Sequence, residues 1–92
     1  MAVTVNVTSV IQKAVNGQKQ FASEGGTIAE LIENIERDYP GFRKQIADDS
    51  GELHRFVNIY LNDEDIRYLR GPETELADGD NVSILPALAG GT

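Results

Sequence analysis

The last eight residues, Leu85-Pro86-Ala87-Leu88-Ala89-Gly90-Gly91-Thr92, are where residue type and spacing suggest a definite chemistry. Gly90 and Gly91 give a backbone without side chains, which fits a channel too narrow for any Cβ. Pro86 stiffens the exit from whatever precedes it, and Leu88 is an apolar side chain held out in solvent. Fully extended, the segment from Pro86 onward reaches roughly 23–25 Å. A thin, uncharged probe that carries a carboxylate suits an enzyme that activates acyl groups inside a deep site. The plain alternative is a frayed terminus that does nothing, as chain ends beyond a last strand often are.

Other side chains offer less. The 92-residue chain has no cysteine, which removes disulfides, thiolate metal sites and thiol nucleophiles. Its one histidine, His54, stands beside Arg55 at a strand entrance. A multi-histidine metal site is therefore excluded, and His54 reads as a surface or hydrogen-bonded residue. Asp48, Asp49 and Glu52 form one acidic group, and Asp63-Glu64-Asp65 another. Neither has the glycine and distal glutamate of a calcium loop, so turn chemistry is the better reading and no metal is expected.

Fifteen acidic residues against eight basic ones leave a net charge of −7. That balance argues against binding a nucleic-acid backbone or an anionic membrane. It serves solubility, and it also suits steering toward basic clefts on partner enzymes. No apolar run approaches the roughly 20 residues that cross a bilayer. The start, Met1-Ala2-Val3-Thr4-Val5, lacks the pattern of a secretory leader, so the cytoplasm is the expected location.

Such a probe needs a stable base, and a chain of this length builds one small core. Val3, Val5 and Val7 alternate with Thr4 and Asn6, which predicts a strand with one buried face. Asn16-Gly17 is a hairpin-turn dipeptide at the end of an irregular connection from Ser9. A second strand is expected from Gln18 to Ala22, ending at Glu24-Gly25-Gly26. Thr27 and Glu30 form a capping box, and Ile28, Leu31, Ile32 and Ile35 then recur at helical spacing. Glu33, Glu36 and Arg37 lie outside, and the helix stops before Pro40. Gly41 to Ile46 predicts a further helical turn.

From Arg55 the alternation returns, with Val57, Ile59 and Leu61 against Phe56, Asn58 and Tyr60. A turn at Asn62 to Asp65, a return strand at Ile66 to Leu69 and a helical turn at Glu73 to Leu76 follow. Asp78-Gly79-Asp80 is a tight turn before a last strand, Asn81 to Leu85, with Val82 and Ile84 inward. Two strands, a helix and two or three strands make an α+β chain. A single helix covers one face of a sheet only. This order suits the β-grasp arrangement, a mixed sheet of four to five strands packed on one main helix. The expected organisation is a domain over residues 1–86 and a flexible tail over 87–92. Phe56, Tyr60 and Leu85, with Leu88 beside them, would form an apolar docking patch next to the tail, unless a loop covers them.

The segment Phe56-Val57-Asn58-Ile59-Tyr60-Leu61-Asn62-Asp63-Glu64-Asp65-Ile66-Arg67 resembles the ubiquitin-like sulfur-carrier proteins. So does the ending Asp78-Gly79-Asp80-Asn81-Val82-Ser83-Ile84-Leu85-Pro86-Ala87-Leu88-Ala89-Gly90-Gly91. That family has thiamine, molybdopterin and cysteine-biosynthesis branches (the ThiS, MoaD and CysO types), and His54-Arg55 before the strand is most similar to the cysteine branch. The resemblance implies that an E1-like enzyme uses ATP to adenylate Gly91 and that a sulfur source displaces AMP, leaving a thiocarboxylate. Leu88, Ala89 and Gly90 would be the residues recognised in the tail. In the cysteine branch the sulfur passes to an activated serine on a PLP-dependent cysteine-synthase-like enzyme, and a zinc metallopeptidase releases cysteine. The chain itself would be no enzyme and would bind no cofactor. Thr92 departs from the family's Gly-Gly ending, so a peptidase is expected to remove it. A ubiquitin-like modifier conjugated through Gly91 and a non-catalytic interaction domain are the alternatives.

Overall fold

Three valines set the first layer of the core. They lie on β1 (Ala2–Val7), where Val3, Val5 and Val7 are buried and Thr4 and Asn6 sit half-buried on the other face. The structure is a computed structural model that describes residues 2–47 and 57–86. Where an irregular connection was expected, the chain forms α1 (Ser9–Gln12) and a 3-10 turn (Lys13–Val15). Ile11 and Val15 are fully buried there, and their i, i+4 spacing places them on one helical face. Asn16 and Gly17 take left-handed φ values of 59° and 78°. They close this helical segment as a C-cap rather than forming the tip of a hairpin. The delay moves β2 to Gln20–Glu24, later than Gln18 to Ala22; it pairs antiparallel with β1, Val5 facing Phe21.

Helix α2 (Ile28–Asp38) starts where the capping residues lie. Thr27 Oγ1 accepts the Glu30 N–H at 3.2 Å, while the Glu30 carboxylate accepts the Gly26 N–H at 2.9 Å, one residue before the cap. Ile28, Leu31, Ile32 and Ile35 are its buried face. Beyond Pro40, α3 (Phe42–Ile46) buries Phe42 and Ile46. The Glu36 carboxylate holds the start of α3, accepting from the N–H groups of Arg43 at 2.8 Å and Gly41 at 3.1 Å. Those bonds, the Arg43 one foremost, keep the Glu36 carboxyl below its ordinary pKa.

The second half brings β3 (Val57–Leu61), β4 (Glu64–Asp65) and β5 (Asn81–Pro86). The return strand lies earlier than Ile66 to Leu69 and is shorter. The Asp65 side chain accepts the Arg67 N–H at 2.9 Å, and the chain leaves the sheet in a 3-10 turn over Ile66–Tyr68, burying Ile66. A second 3-10 turn spans Gly71–Glu73 instead of Glu73 to Leu76. Thr74 to Leu76 is then needed elsewhere. The Thr74 carbonyl accepts the Ile28 N–H at 3.1 Å and the Leu76 N–H donates to the Gly26 carbonyl at 2.9 Å, which ties this segment to the start of α2. The five strands are ordered β2-β1-β5-β3-β4, with β1 and β5 parallel and the other neighbours antiparallel. With α2 against one face, this is the β-grasp, ubiquitin-like fold.

Gly25 marks the tightest approach between β2 and α2. A Cβ there would lie 2.7 Å from the Leu31 nitrogen and 2.8 Å from its Cα, both backbone atoms. At Gly26 it would meet only the end of the flexible Glu30 side chain, at 2.9 Å. Gly25→Ala is expected to destabilise the domain by about 1–3 kcal/mol through overpacking, and Gly26→Ala by under about 1 kcal/mol. Urea unfolding midpoints of the two variants measure the difference.

Candidate functional site

The direction of the chain at Pro86, the last described residue, is set by β5. It runs parallel to β1 and antiparallel to β3, with Ile84 opposite Val7, Leu85 opposite Asn58 and Pro86 opposite Val57. Val82 and Ile84 are fully buried against the helix side, so Ser83 and Leu85 face outward. Tyr60 stands opposite Ser83 on the neighbouring strand. Tyr60, Asp63, Ser83 and Leu85 line a shallow hollow of about 270 Å³ on this outer face. Tyr60 and Leu85 are both half-buried. Two of the three expected docking residues are thus brought together one residue from the exit. Phe56 lies outside the described residues, as do Leu88, Ala89, Gly90, Gly91 and Thr92, and so do His54 and the acidic group at Asp48, Asp49 and Glu52.

The register that aims the exit is held at the opposite end of β5. Asn62 and Asp63 have φ values of 50° and 73°, a conformation asparagine and aspartate tolerate better than most residues. In that turn Asn62 Oδ1 accepts the Asn81 N–H at 2.9 Å, its Nδ2 donates to Asp80 Oδ1 at 3.1 Å, and its own N–H donates to the Asn81 carbonyl at 2.8 Å. On the other flank the Ala2 N–H reaches Asp78 Oδ1 at 3.0 Å and the Thr4 N–H reaches the Asp80 carbonyl at 2.9 Å. Asp80 Oδ2 accepts the Ala77 N–H at 2.7 Å and closes the turn itself. The sequence marks Asn62 only as a turn residue; no local signal points to its partners Asp80 and Asn81.

Electrostatics on the outer face centre on Arg67. Its guanidinium is paired with Asp65, at 2.7 Å, and donates to Asn58 Oδ1. The guanidinium hydrogen bond from Arg67 to Asp65, and then the Arg67 N–H, hold the Asp65 carboxyl below the usual carboxylate range, while Asp65 raises the pKa of Arg67. The pair stiffens the short β3–β4 ribbon beside the hollow. Sequence reasoning missed Tyr68, which is 83% exposed just after it. Among the described residues no three His, Cys, Asp or Glu side chains are grouped to hold a metal, and no helix is long and apolar enough to cross a membrane.

The chain matches the ThiS family over residues 3–91. It is 46% identical, over 93 aligned residues, to the sulfur carrier protein CysO of Mycobacterium tuberculosis, with 99% of this chain and 100% of that protein covered. Small archaeal modifier protein 3 of Haloferax volcanii is 33% identical, with 86% and 88% covered. Among solved structures, a chain of the Amycolatopsis orientalis BexX/CysO complex superposes with a TM-score of 0.88 at 38% identity, covering 95% of this chain and 97% of that one. The chain belongs to the ThiS family. Within it, the chain is of the CysO sulfur-carrier type: a protein substrate of partner enzymes rather than a catalyst.

If Asn62 fixes the register of β5, its replacements separate conformation from hydrogen bonding. Asn62→Ala loses two side-chain bonds and keeps an unfavourable positive φ, so a loss of about 1–3 kcal/mol is expected. Asn62→Gly relieves the φ strain and should recover about 1 kcal/mol of that. Urea unfolding gives the energies, and faster amide exchange at Asn81 and Val82 would place the effect at the start of β5.

Proposed function

We propose that this chain carries sulfur as a thiocarboxylate on Gly91, for cysteine or a related sulfur metabolite. The observation that carries this reading is that the family match runs through residue 91 and so includes the Gly90-Gly91 pair. A carboxylate is a poor electrophile. An E1-like partner would attack the α-phosphorus of ATP with the Gly91 carboxylate and release pyrophosphate. Sulfide would then displace AMP from the acyl carbon, leaving the thiocarboxylate. The chain supplies no acid, base or metal to these steps. It supplies reach: residues 87–92 act as the tail of a domain spanning 1–86, and Leu88, Ala89 and Gly90 line the way into the partner's channel.

The Gly91 carboxylate is held in a peptide bond to Thr92, so activation requires a peptidase to remove whatever follows Gly91. Transfer of the sulfur to an activated serine on a PLP-dependent cysteine-synthase-like enzyme gives a thioester. An S-to-N acyl shift and a zinc metallopeptidase cut then release cysteine and regenerate the Gly91 carboxylate. ATP dependence places the cycle in the cytoplasm. The likeness to a chain of the BexX/CysO complex supports binding of a partner protein by this type of domain. A second reading, a modifier conjugated to lysines through Gly91, is favoured by the likeness to small archaeal modifier protein 3; it shares the activation step.

A Gly91-ending form, incubated with ATP, its activating enzyme and sulfide, should gain the mass of one oxygen-to-sulfur exchange, and Gly91→Ala should abolish the gain with unchanged stability. Isopeptide attachment to protein lysines in place of that gain would favour the modifier. Tyr60 and Leu85, on the outer face, are proposed to dock the activating enzyme together with Phe56. Phe56→Ser is accordingly expected to raise KM for activation several-fold while the circular dichroism spectrum is retained; unchanged kinetics would remove Phe56 from the docking surface.

A further inference from the structure

One flank of the sheet has no part in the carrier reading. We propose that the free edge of β2 is a self-association surface, on which a second copy of this chain pairs its own β2 antiparallel to the first. The inference stands on the sheet alone and does not require the carrier reading. In the strand order β2-β1-β5-β3-β4, β2 has a neighbour on one side only. The Val7 N–H donates to the Lys19 carbonyl at 3.0 Å, and alternate residues of an antiparallel ladder turn the same way. Lys19, Phe21 and Ser23 therefore bond to β1, while Gln20, Ala22 and Glu24 turn their N–H and C=O groups outward. Asn34 Nδ2 meets the outward Glu24 carbonyl at 2.7 Å, in keeping with this alternation.

Edge strands are commonly blunted by proline, by a bulge or by charges along the strand. β2 reads Gln20-Phe21-Ala22-Ser23-Glu24. It has no proline, pairs with β1 residue for residue, and carries a charge only at its last position. Its middle residue, Ala22, is exposed and small enough for another strand to come alongside. Among the described residues nothing pairs with this edge. Beside it Ala22, Ser23, Glu24, Asn34, Arg37 and Asp38 line a hollow of about 310 Å³ between β2 and α2. The strand itself sets the register. A two-fold axis at Ala22 puts Ala22 against its own copy and Gln20 against Glu24 of the second copy, an amide facing a carboxylate. All five residues of the strand then overlap, with roughly six backbone hydrogen bonds formed. An axis at Gln20 or Glu24 loses most of that overlap, and the latter sets like charges opposite each other.

Charge favours a second copy over an unrelated strand. A two-fold surface must complement itself, so both signs have to be present on it. Among the described residues, the charged groups along this flank are Lys19 and Arg37 against Glu24, Glu30 and Asp38, all exposed. The Glu30 carboxylate is engaged by the Gly26 N–H. Glu33 and Glu36 serve the α3 side of the helix, held by Arg43 and by the N–H groups of Gly41 and Arg43. Arg37 is the one arginine among the described residues that is in no ion pair. Arg37 and Asp38 share the hollow with Ala22, the residue on the axis, so Arg37 of each copy meets Asp38 of the other. A net charge of −7 opposes association in orientations that lack such pairs. The two-fold leaves both outer faces on one side of a continuous sheet. It sets the two Pro86 exits at opposite ends of the new seam, so neither is covered.

An edge this short buries less than a standard interface, so a dissociation constant of roughly 0.1–1 mM is expected. Sedimentation equilibrium of the full chain at low salt, from roughly 10 µM to 2 mM, should show a monomer–dimer equilibrium. In amide hydrogen exchange Ala22 should gain protection as concentration rises, while Phe21 and Ser23, bonded to β1, should not change. Ala22→Pro removes an outward donor and leaves the β1 ladder whole; it should abolish the dimer. Arg37→Glu and Asp38→Arg should each weaken association about tenfold at low salt, and the double variant, which exchanges the charges, should restore it. A chain that stays monomeric throughout overturns the proposal. So does a dimer that Ala22→Pro and both charge reversals leave intact. Protection of Ala22 that is independent of chain concentration and arises only with the activating enzyme overturns the choice of occupant, in favour of a strand from that partner.

Discussion

The central strand is the constraint on which the remaining structure depends. β5 is paired along its length with β1 on one side and β3 on the other, and its start is gripped from both flanks by Asn62, Asp78 and Asp80. A slip of one residue would turn Val82 and Ile84 out of the core and Ser83 and Leu85 into it. It would also shift the exit by about 3.3 Å along the strand. Core packing and tail aim are therefore one property, enforced by the same buried side chains. The polar clamp adds direction to what the apolar burial already favours.

Helix α2 contributes the second half of that constraint. Its apolar stripe fills the space under β1 and β5, and the contact at Gly25 lets the chain turn from β2 into the helix without a gap. One face of the sheet is thereby closed. The other keeps Asn6, Asn58, Tyr60, Ser83 and Leu85 at partial exposure. A larger domain would cover this surface with a second layer. Leaving it open gives a partner a rigid, mixed polar and apolar face directly beside the emerging tail.

Much of this was legible in the residues, and what was missed has a common cause. The α2 boundaries follow from Thr27, Glu30 and Pro40, and the inward rows of β1, β3 and β5 from alternating valine, isoleucine and leucine, because each pattern is local and repeats. The segment from Ser9 to Asn16 reads as irregular, since only Ile11 and Val15 carry its helical spacing and two positions make a weak period. β4 was placed too late because its end is decided by an Asp65–Arg67 hydrogen bond, not by hydropathy. Asn62 looked like an ordinary turn residue because its partners, Asp80 and Asn81, are distant in sequence. In the candidate site, the glycine pair is visible as chemistry, while the meeting of Tyr60 with Ser83 and Leu85 is not. That meeting needs the β3–β5 pairing between distant segments, which no local pattern encodes.

Composition takes on a different meaning once the fold is known. Absence of cysteine excludes a thiol on the chain, but under the proposed chemistry, with sulfur held on the Gly91 carbonyl, the carrier would have no use for one. A nearby thiol would in fact be a hazard, able to capture the activated acyl group as a thioester. Net charge is likewise an incomplete description. Taken as a single number, −7 suggests attraction to basic clefts. For a chain proposed to act by presenting one end to a succession of enzymes, how those charges are spread over the surface decides orientation at encounter as well as affinity.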